Sequence, residues 1–177
     1  MILLVYAHPH PGRSVANRTL IDAVRSLPGL ELRSLYECYP DFSIDVQAER
    51  ALLESARLVI WQHPLYWYSV PALLKLWFES VLGRGWAYGD GVRALAGKDC
   101  MWVATTGGRE TDYSPQEQHG RPFADFVAPL EQTARFCGMN WLDPLIVHGA
   151  RLSEGGGLPA QAETYRRRLQ EWSEGHG

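Results

Sequence analysis

The chain predicts an α/β fold: a three-layer sandwich around a five-stranded parallel sheet of order 2-1-3-4-5. Three observations predict it. Strand and helix signals alternate along the 177 residues. The third candidate strand, Leu58–Gln62, is near-continuously apolar, as in a sheet covered on both faces. The segments after the first, third and fourth strands gather glycine, proline, hydroxyl and aromatic residues, and such loops at the carboxyl edge of an open α/β sheet are where ligands bind.

The elements follow in order. Ile2–Tyr6 reads as the first strand. Ser14 offers an N-cap to a helix over Val15–Leu27, which Pro28-Gly29 stops. Leu32–Tyr36 alternates as a short second strand. Asp45 caps an amphipathic helix reaching Ser55, and Leu58–Gln62 is the third strand. Pro71–Leu82 is a helix with proline in its first turn. Cys100–Ala104 is the fourth strand, Pro122–Cys137 a helix ended by Gly138, and Trp141–Val147 a weaker fifth strand interrupted by Asp143-Pro144. Ala160–Glu174 closes the chain. Five βα units of this kind wind on both faces of the sheet, with the switch point between strands one and three. Gly155-Gly156-Gly157 reads as a connection into the last helix, and residues 174–177 as a frayed tail.

Length sets one domain over 1–177 as the expectation. A net charge of −3 gives no footprint for nucleic acid. Seven Trp and eight Tyr are many for this length, and aromatics serve cores, flat ligands and subunit interfaces alike. Cys38, Cys100 and Cys137 form no CxxC pair and read as buried reduced thiols of a cytosolic protein. The start Met-Ile-Leu-Leu-Val-Tyr-Ala is a strand rather than a signal segment, and no apolar run approaches the roughly 18 residues of a membrane helix. The expectation is a cytoplasmic protein, peripheral to a membrane only through a partner.

Three loops carry the candidate chemistry. The first, residues 7–17, holds His8, Arg13, Ser14, Val15, Ala16 and Asn17 and leads into a helix N-terminus, where free N–H groups favour a phosphate; its plain alternative is a capped βα turn. It is neither a P-loop nor GxGxxG. His8 and His10 lack a neighbouring carboxylate or Cys, so no metal is expected. The second loop, Pro64-Leu65-Tyr66-Trp67-Tyr68, puts three aromatics at a strand's end. It reads either as a wall around a planar ring or as an apolar contact to the next helix or a second subunit. The third, Thr105-Thr106-Gly107-Gly108, brings bare backbone to the sheet edge and continues to Tyr113 and His119. Those two are solvated surface groups or a pair of donors for developing negative charge.

At these residues the chain resembles a known family. Ala7-His8-Pro9 with Ser14–Asn17, Gln62–Tyr68 and Thr105–Gly108 resemble the flavodoxin-like NAD(P)H:quinone oxidoreductases, the DT-diaphorase superfamily, in the same order over roughly residues 1–150. Tyr39-Pro40-Asp41-Phe42, Leu73–Trp77 and Gly85-Trp86-Ala87-Tyr88-Gly89 look closer still to the ancillary subunits of bacterial glutathione-regulated potassium-efflux systems. The resemblance implies a flavodoxin-like fold, non-covalent FMN rather than FAD, NAD(P)H as co-substrate, a quinone acceptor, and a homodimer. It also implies a potassium-efflux antiporter as partner. It maps His8 and Ser14–Asn17 onto phosphate and ribityl contacts, and Pro64–Tyr68 and Thr105–Gly108 onto the flavin ring. Tyr113 and His119 fall where the diaphorases place the pair that assists hydride transfer, with His119 as a proton reservoir. Trp67, Tyr68 and Phe126 would form the quinone slot, and Arg109 or His10 would lie near a nicotinamide 2′-phosphate. Within this enzyme class azo-, nitro- or flavin reduction is an alternative; outside it, a regulatory flavin-binding subunit of the antiporter is another. A receiver domain is excluded by Gln62-His63-Pro64 where an Asp is needed, and a GxSxG hydrolase elbow is absent.

Overall fold

The computed structural model describes residues 1–91, 93–150 and 157–176. Its strands are β1 Ile2–Tyr6, β2 Leu30–Ser34, β3 Leu58–Pro64, β4 Asp99–Thr105, β5 Asn140–Trp141 and β6 Leu145–Val147. Its helices are α1 Val15–Val24, α2 Leu35–Cys38, α3 Val46–Ser55, α4 Ala72–Val81, α5 Ala124–Phe136 and α6 Leu158–Gly175. The sheet is parallel throughout and runs β2-β1-β3-β4-β5, with β6 also on β4. The expected order 2-1-3-4-5 is therefore observed.

Strand side chains alternate between faces, and the alternation builds two cores. Leu3, Val5, Val59, Trp61, Cys100 and Trp102 meet Leu53 of α3, Trp77 of α4 and Leu130 of α5. Ile2, Leu4, Ile60, Met101 and Val103 meet Leu20 and Val24 of α1 and Tyr165 and Leu169 of α6. All of β1 and β3 is buried, which explains their unbroken apolar sequence.

Several boundaries differ from the sequence reading. Helix α1 stops at Val24 rather than Leu27, because Pro28 disfavours helix before it and Gly29 turns at φ 73°. Strand β2 ends at Ser34, and the chain then coils through α2, burying Leu35 beneath α4. The fifth strand is split: β5 pairs with Asp99-Cys100 and β6 with Val103–Thr105, with Asp143-Pro144 between them. Both pieces extend the same edge of β4, so the interruption costs rungs but not topology. The expected loose tail is instead helical to Gly175. Trp172 Nε1 donates to Asp99 at 2.7 Å, His176 stacks on Trp172, and Arg57 donates to the His176 carbonyl. Gly155, Gly156 and Gly177 lie outside the described residues. Cys100 and Cys137 are buried free thiols as expected, but Cys38 is exposed at the end of α2. No helix among the described residues is long and apolar enough to cross a membrane.

Candidate functional site

A cleft of about 1320 Å³ opens at the carboxyl edge of the sheet. It is lined by all sixteen residues singled out from the three loops: His8, Ser14, Val15, Ala16, Asn17, Pro64, Leu65, Tyr66, Trp67, Tyr68, Thr105, Thr106, Gly107, Gly108, Tyr113 and His119. The topology explains the convergence. β1, β3 and β4 are adjacent and parallel, so the loops that leave them emerge side by side.

On one side, His8 to Asn17 lead into α1. Ser14 is its N-cap residue, yet its side chain makes no capping bond. The first-turn amides of α1 therefore have no side-chain cap and present the positive end of the helix to the cleft. His8 Nδ1 accepts from the His10 N–H at 2.9 Å, which puts the proton of a neutral ring on Nε2. Asn17 is a tie rather than an open donor. Its Nδ2 donates to Thr105 Oγ1 at 2.9 Å, and its carbonyl and Oδ1 accept from Gln62 Nε2 at 3.1 and 3.3 Å. Buried Asn17 thus locks α1, β3 and β4 together beneath the loops.

Opposite lies the Tyr66–Ser69 turn. Tyr66 and Ser69 exchange backbone bonds at 3.1 and 2.9 Å, while Trp67 and Tyr68 take φ values of 49° and 62°. Both tip residues are in the left-handed region, as in a type I′ turn, and for bulky residues this stores roughly 1–2 kcal/mol each. The Trp67 side chain is 93% exposed, so it stands out from the wall rather than packing within it. Tyr68 reaches the third loop, its hydroxyl 3.4 Å from His119 Nδ1.

Tyr113 and His119 stack face to face at 4.1 Å with rings 21° apart. Tyr113 is nearly buried, and burial holds its phenol above the usual pKa, so it stays a donor. His119 Nε2 is buried without a hydrogen-bond partner, as is Gln62 Oε1. A Cβ on Gly108 would come within 2.8 Å of that Nε2, so a side chain there would displace the His119 ring from its present place.

The sequence reading missed the fourth wall. Ile146 and Val147 at the end of β6, His148–Ala150 after it, and Gly157, Leu158 and Gln161 at the start of α6 also line the cleft. Thr106 Oγ1 donates to Gly108 O at 2.8 Å and lies 3.1 Å from His148 Nδ1. A hydroxyl has one proton to give, so Nδ1 of His148 is the donor in that second contact. Burial pulls the His148 pKa down, favouring this neutral ring. The signal for this wall was present, because the loop after any strand of a parallel sheet arrives at the same edge, but the split fifth strand hid it.

Phe126 and Arg109 lie outside the lining of this cleft. Phe126 stacks on Tyr68 at 5.3 Å but lines a separate apolar hollow of about 440 Å³ between α4 and α5, with Tyr68 as the shared wall. Arg109 does not line the cleft, where its backbone N–H is held by Asp112, whereas His10 does.

The model of the flavodoxin-like fold family matches residues 1–172. The chain belongs to this family. It is 51% identical to the glutathione-regulated potassium-efflux system ancillary protein KefF of Citrobacter koseri over 100% of both chains. Among solved structures, general stress protein 14 of Treponema denticola in complex with FMN aligns at TM-score 0.89 and 33% identity, covering 96% of this chain and 98% of that one. An NADPH-quinone reductase from P. pentosaceus aligns at 0.85 and 27%, covering 95% and 96%. A protein described as a tryptophan halogenase from Streptomycin violaceusniger aligns at 0.90 and 36%, covering 94% and 97%. The expected fold and family resemblance are thus both found.

The residues fit a flavin. The uncapped helix start suits a phosphate, the glycine-lined edge admits a flat ring, and the orphaned Nε2 of His119 asks for a hydrogen-bond partner.

Proposed function

We propose that the chain is a cytoplasmic NAD(P)H:quinone oxidoreductase that holds FMN in the carboxyl-edge cleft. The observation that carries this reading is the convergence of three separate loops on one cleft whose wall holds a buried, unpartnered ring nitrogen, His119 Nε2. When bound, FMN would supply the two-electron redox chemistry between NAD(P)H and the quinone. The protein's part is binding and electrostatics. Ser14 and the amides of Val15, Ala16 and Asn17, with His8, hold the phosphate end. The tip of the Tyr66–Ser69 turn and the Thr105–Gly108 backbone hold the ring. The Tyr113 hydroxyl and His119 Nε2 donate hydrogen bonds where negative charge develops, and preorganised donors of this kind dominate many enzymes' barriers.

A second role rests on the 51% identity to a protein named as an ancillary subunit of a potassium-efflux system. We propose that the chain also activates such an antiporter. A homodimer is part of the reading: Trp67 is exposed at the cleft, and exposed Phe136 lines the apolar hollow beside Tyr68, surfaces that a second copy would cover.

The test is the visible spectrum of FMN-loaded protein under anaerobic conditions. NADPH should bleach it and a benzoquinone should restore it. A spectrum that NADPH and NADH leave unchanged would leave only the regulatory role.

A further inference from the structure

His63 lies outside the cleft lining, yet it is fully buried at the last turn of β3 before it. Its ring is held from both sides. Trp102 Nε1 donates to His63 Nε2 at 2.8 Å. Nε2 therefore carries the lone pair, the proton sits on Nδ1, and Nδ1 donates to the Pro64 carbonyl at 2.9 Å. Indole N–H groups only donate, so Trp102 fixes the tautomer.

The Pro64 carbonyl needs this donor for a reason visible in the sequence. In the parallel ladder between β1 and β3, Ala7 N–H donates to Gln62 O at 3.0 Å. The next rung on that side, two residues along each strand, would run from residue 9 to Pro64 O. Residue 9 is proline and has no N–H. β1 ends at Tyr6 and its continuation offers no donor here, and the His63 ring, one residue before Pro64 on the same strand, meets the carbonyl instead. One residue on, Leu65 N–H donates to Thr105 O at 2.8 Å and ties the strained turn to β4. Two bonds, one from His63 and one from Leu65, set the direction in which the Tyr66–Ser69 turn leaves the sheet.

We propose that His63 is a positioning residue: held in its Nδ1–H form by Trp102, it donates to the Pro64 carbonyl that the ladder leaves unmet and so presets the aromatic turn that forms one wall of the cleft. It touches no reactant. The inference rests on the reading of the cleft as an FMN site only for its second readout.

Three variants separate the two bonds. His63→Asn keeps an N–H near the Nδ1 position, His63→Gln keeps an acceptor near the Nε2 position for Trp102, and His63→Phe keeps volume without either. The first readout is hydrogen exchange at the Leu65 amide in ligand-free protein. The second is FMN affinity by quenching of flavin fluorescence. His63→Phe and His63→Gln should speed Leu65 exchange and weaken FMN binding about tenfold, the scale of one lost buried hydrogen bond. His63→Asn should restore both. Equal behaviour of all three variants, rescue by Gln instead of Asn, or wild-type exchange in His63→Phe would each overturn the proposal. Absence of FMN binding in the unaltered protein would overturn the reading of the cleft, and Leu65 exchange would still decide the role of His63.

Discussion

Two helix starts in this molecule face opposite demands. At α3, Asp45 accepts from the Gln47 and Ala48 amides at 3.1 and 3.0 Å, closing the helix end upon itself. At α1, Ser14 occupies the same position without a capping bond. The contrast extends to the buried polar groups nearby. Glu49 of α3, fully buried, accepts from Arg33 Nε at 2.6 Å, Tyr39 hydroxyl at 2.7 Å and Trp77 Nε1 at 2.8 Å. At the cleft, His119 Nε2 is buried without a partner. One region answers its polar groups internally and serves stability. The other leaves one unanswered, and such groups are where a ligand gains most.

The largest effect that sharpens this contrast is on the closed side. Glu49→Ala removes the acceptor of the buried Tyr39 hydroxyl and Trp77 Nε1 and of half-buried Arg33, and should cost about 3–5 kcal/mol of unfolding free energy, with little change in ligand affinity of the folded protein. Urea denaturation beside an FMN titration checks both halves. A stability loss below 1 kcal/mol would break the comparison.

On the open side the order reverses. Tyr113→Phe and His119→Ala should each slow reduction by NAD(P)H by about 10²–10³, equivalent to about 2.7–4 kcal/mol of barrier, while the protein keeps its FMN. Stopped-flow bleaching reads the rate. Unchanged rates in both variants would remove these residues from the reaction.

Acid should weaken the fold through His63. Burial pulls its pKa from 6.5 down to about 4. Below 6.5 the unfolded chain takes up a proton that the folded chain refuses. The contribution is full above 6.5 and is lost as pH falls toward 4. The slope is about 1.4 kcal/mol per pH unit. Unfolding curves between pH 7 and pH 4.5 test the sign, and His63→Phe should flatten that dependence.

The smallest effect compares the caps directly. Asp45→Ala should cost about 1 kcal/mol of stability and nothing in FMN binding, and Ser14→Ala should do the opposite. Thermal melts and FMN titrations of the pair decide it; equal stability losses would mean that Ser14 is an ordinary cap.

Most of this site was legible in sequence for one physical reason. In a parallel sheet every strand's carboxyl end reaches the same edge, so naming β1, β3 and β4 places Ser14, Tyr68 and Gly108 together. Asp45 as a cap and Pro71 before α4 were local signals of the same kind. What stayed hidden depends on tertiary contact. The left-handed φ of Trp67 and Tyr68 has no glycine to announce it. His148 follows a strand of only three residues, broken by Asp143-Pro144 from its predecessor. The demand on His63 arises where β1 ends and Pro9 follows it, more than fifty residues away in sequence.

The central claim is that the cleft holds FMN, and the most direct measurement is a fluorescence titration of FMN into flavin-free protein. Saturable quenching at one FMN per chain, weakened in Ser14→Ala and unchanged in Asp45→Ala, is the predicted result. No quenching by the folded protein at any FMN concentration would contradict the account.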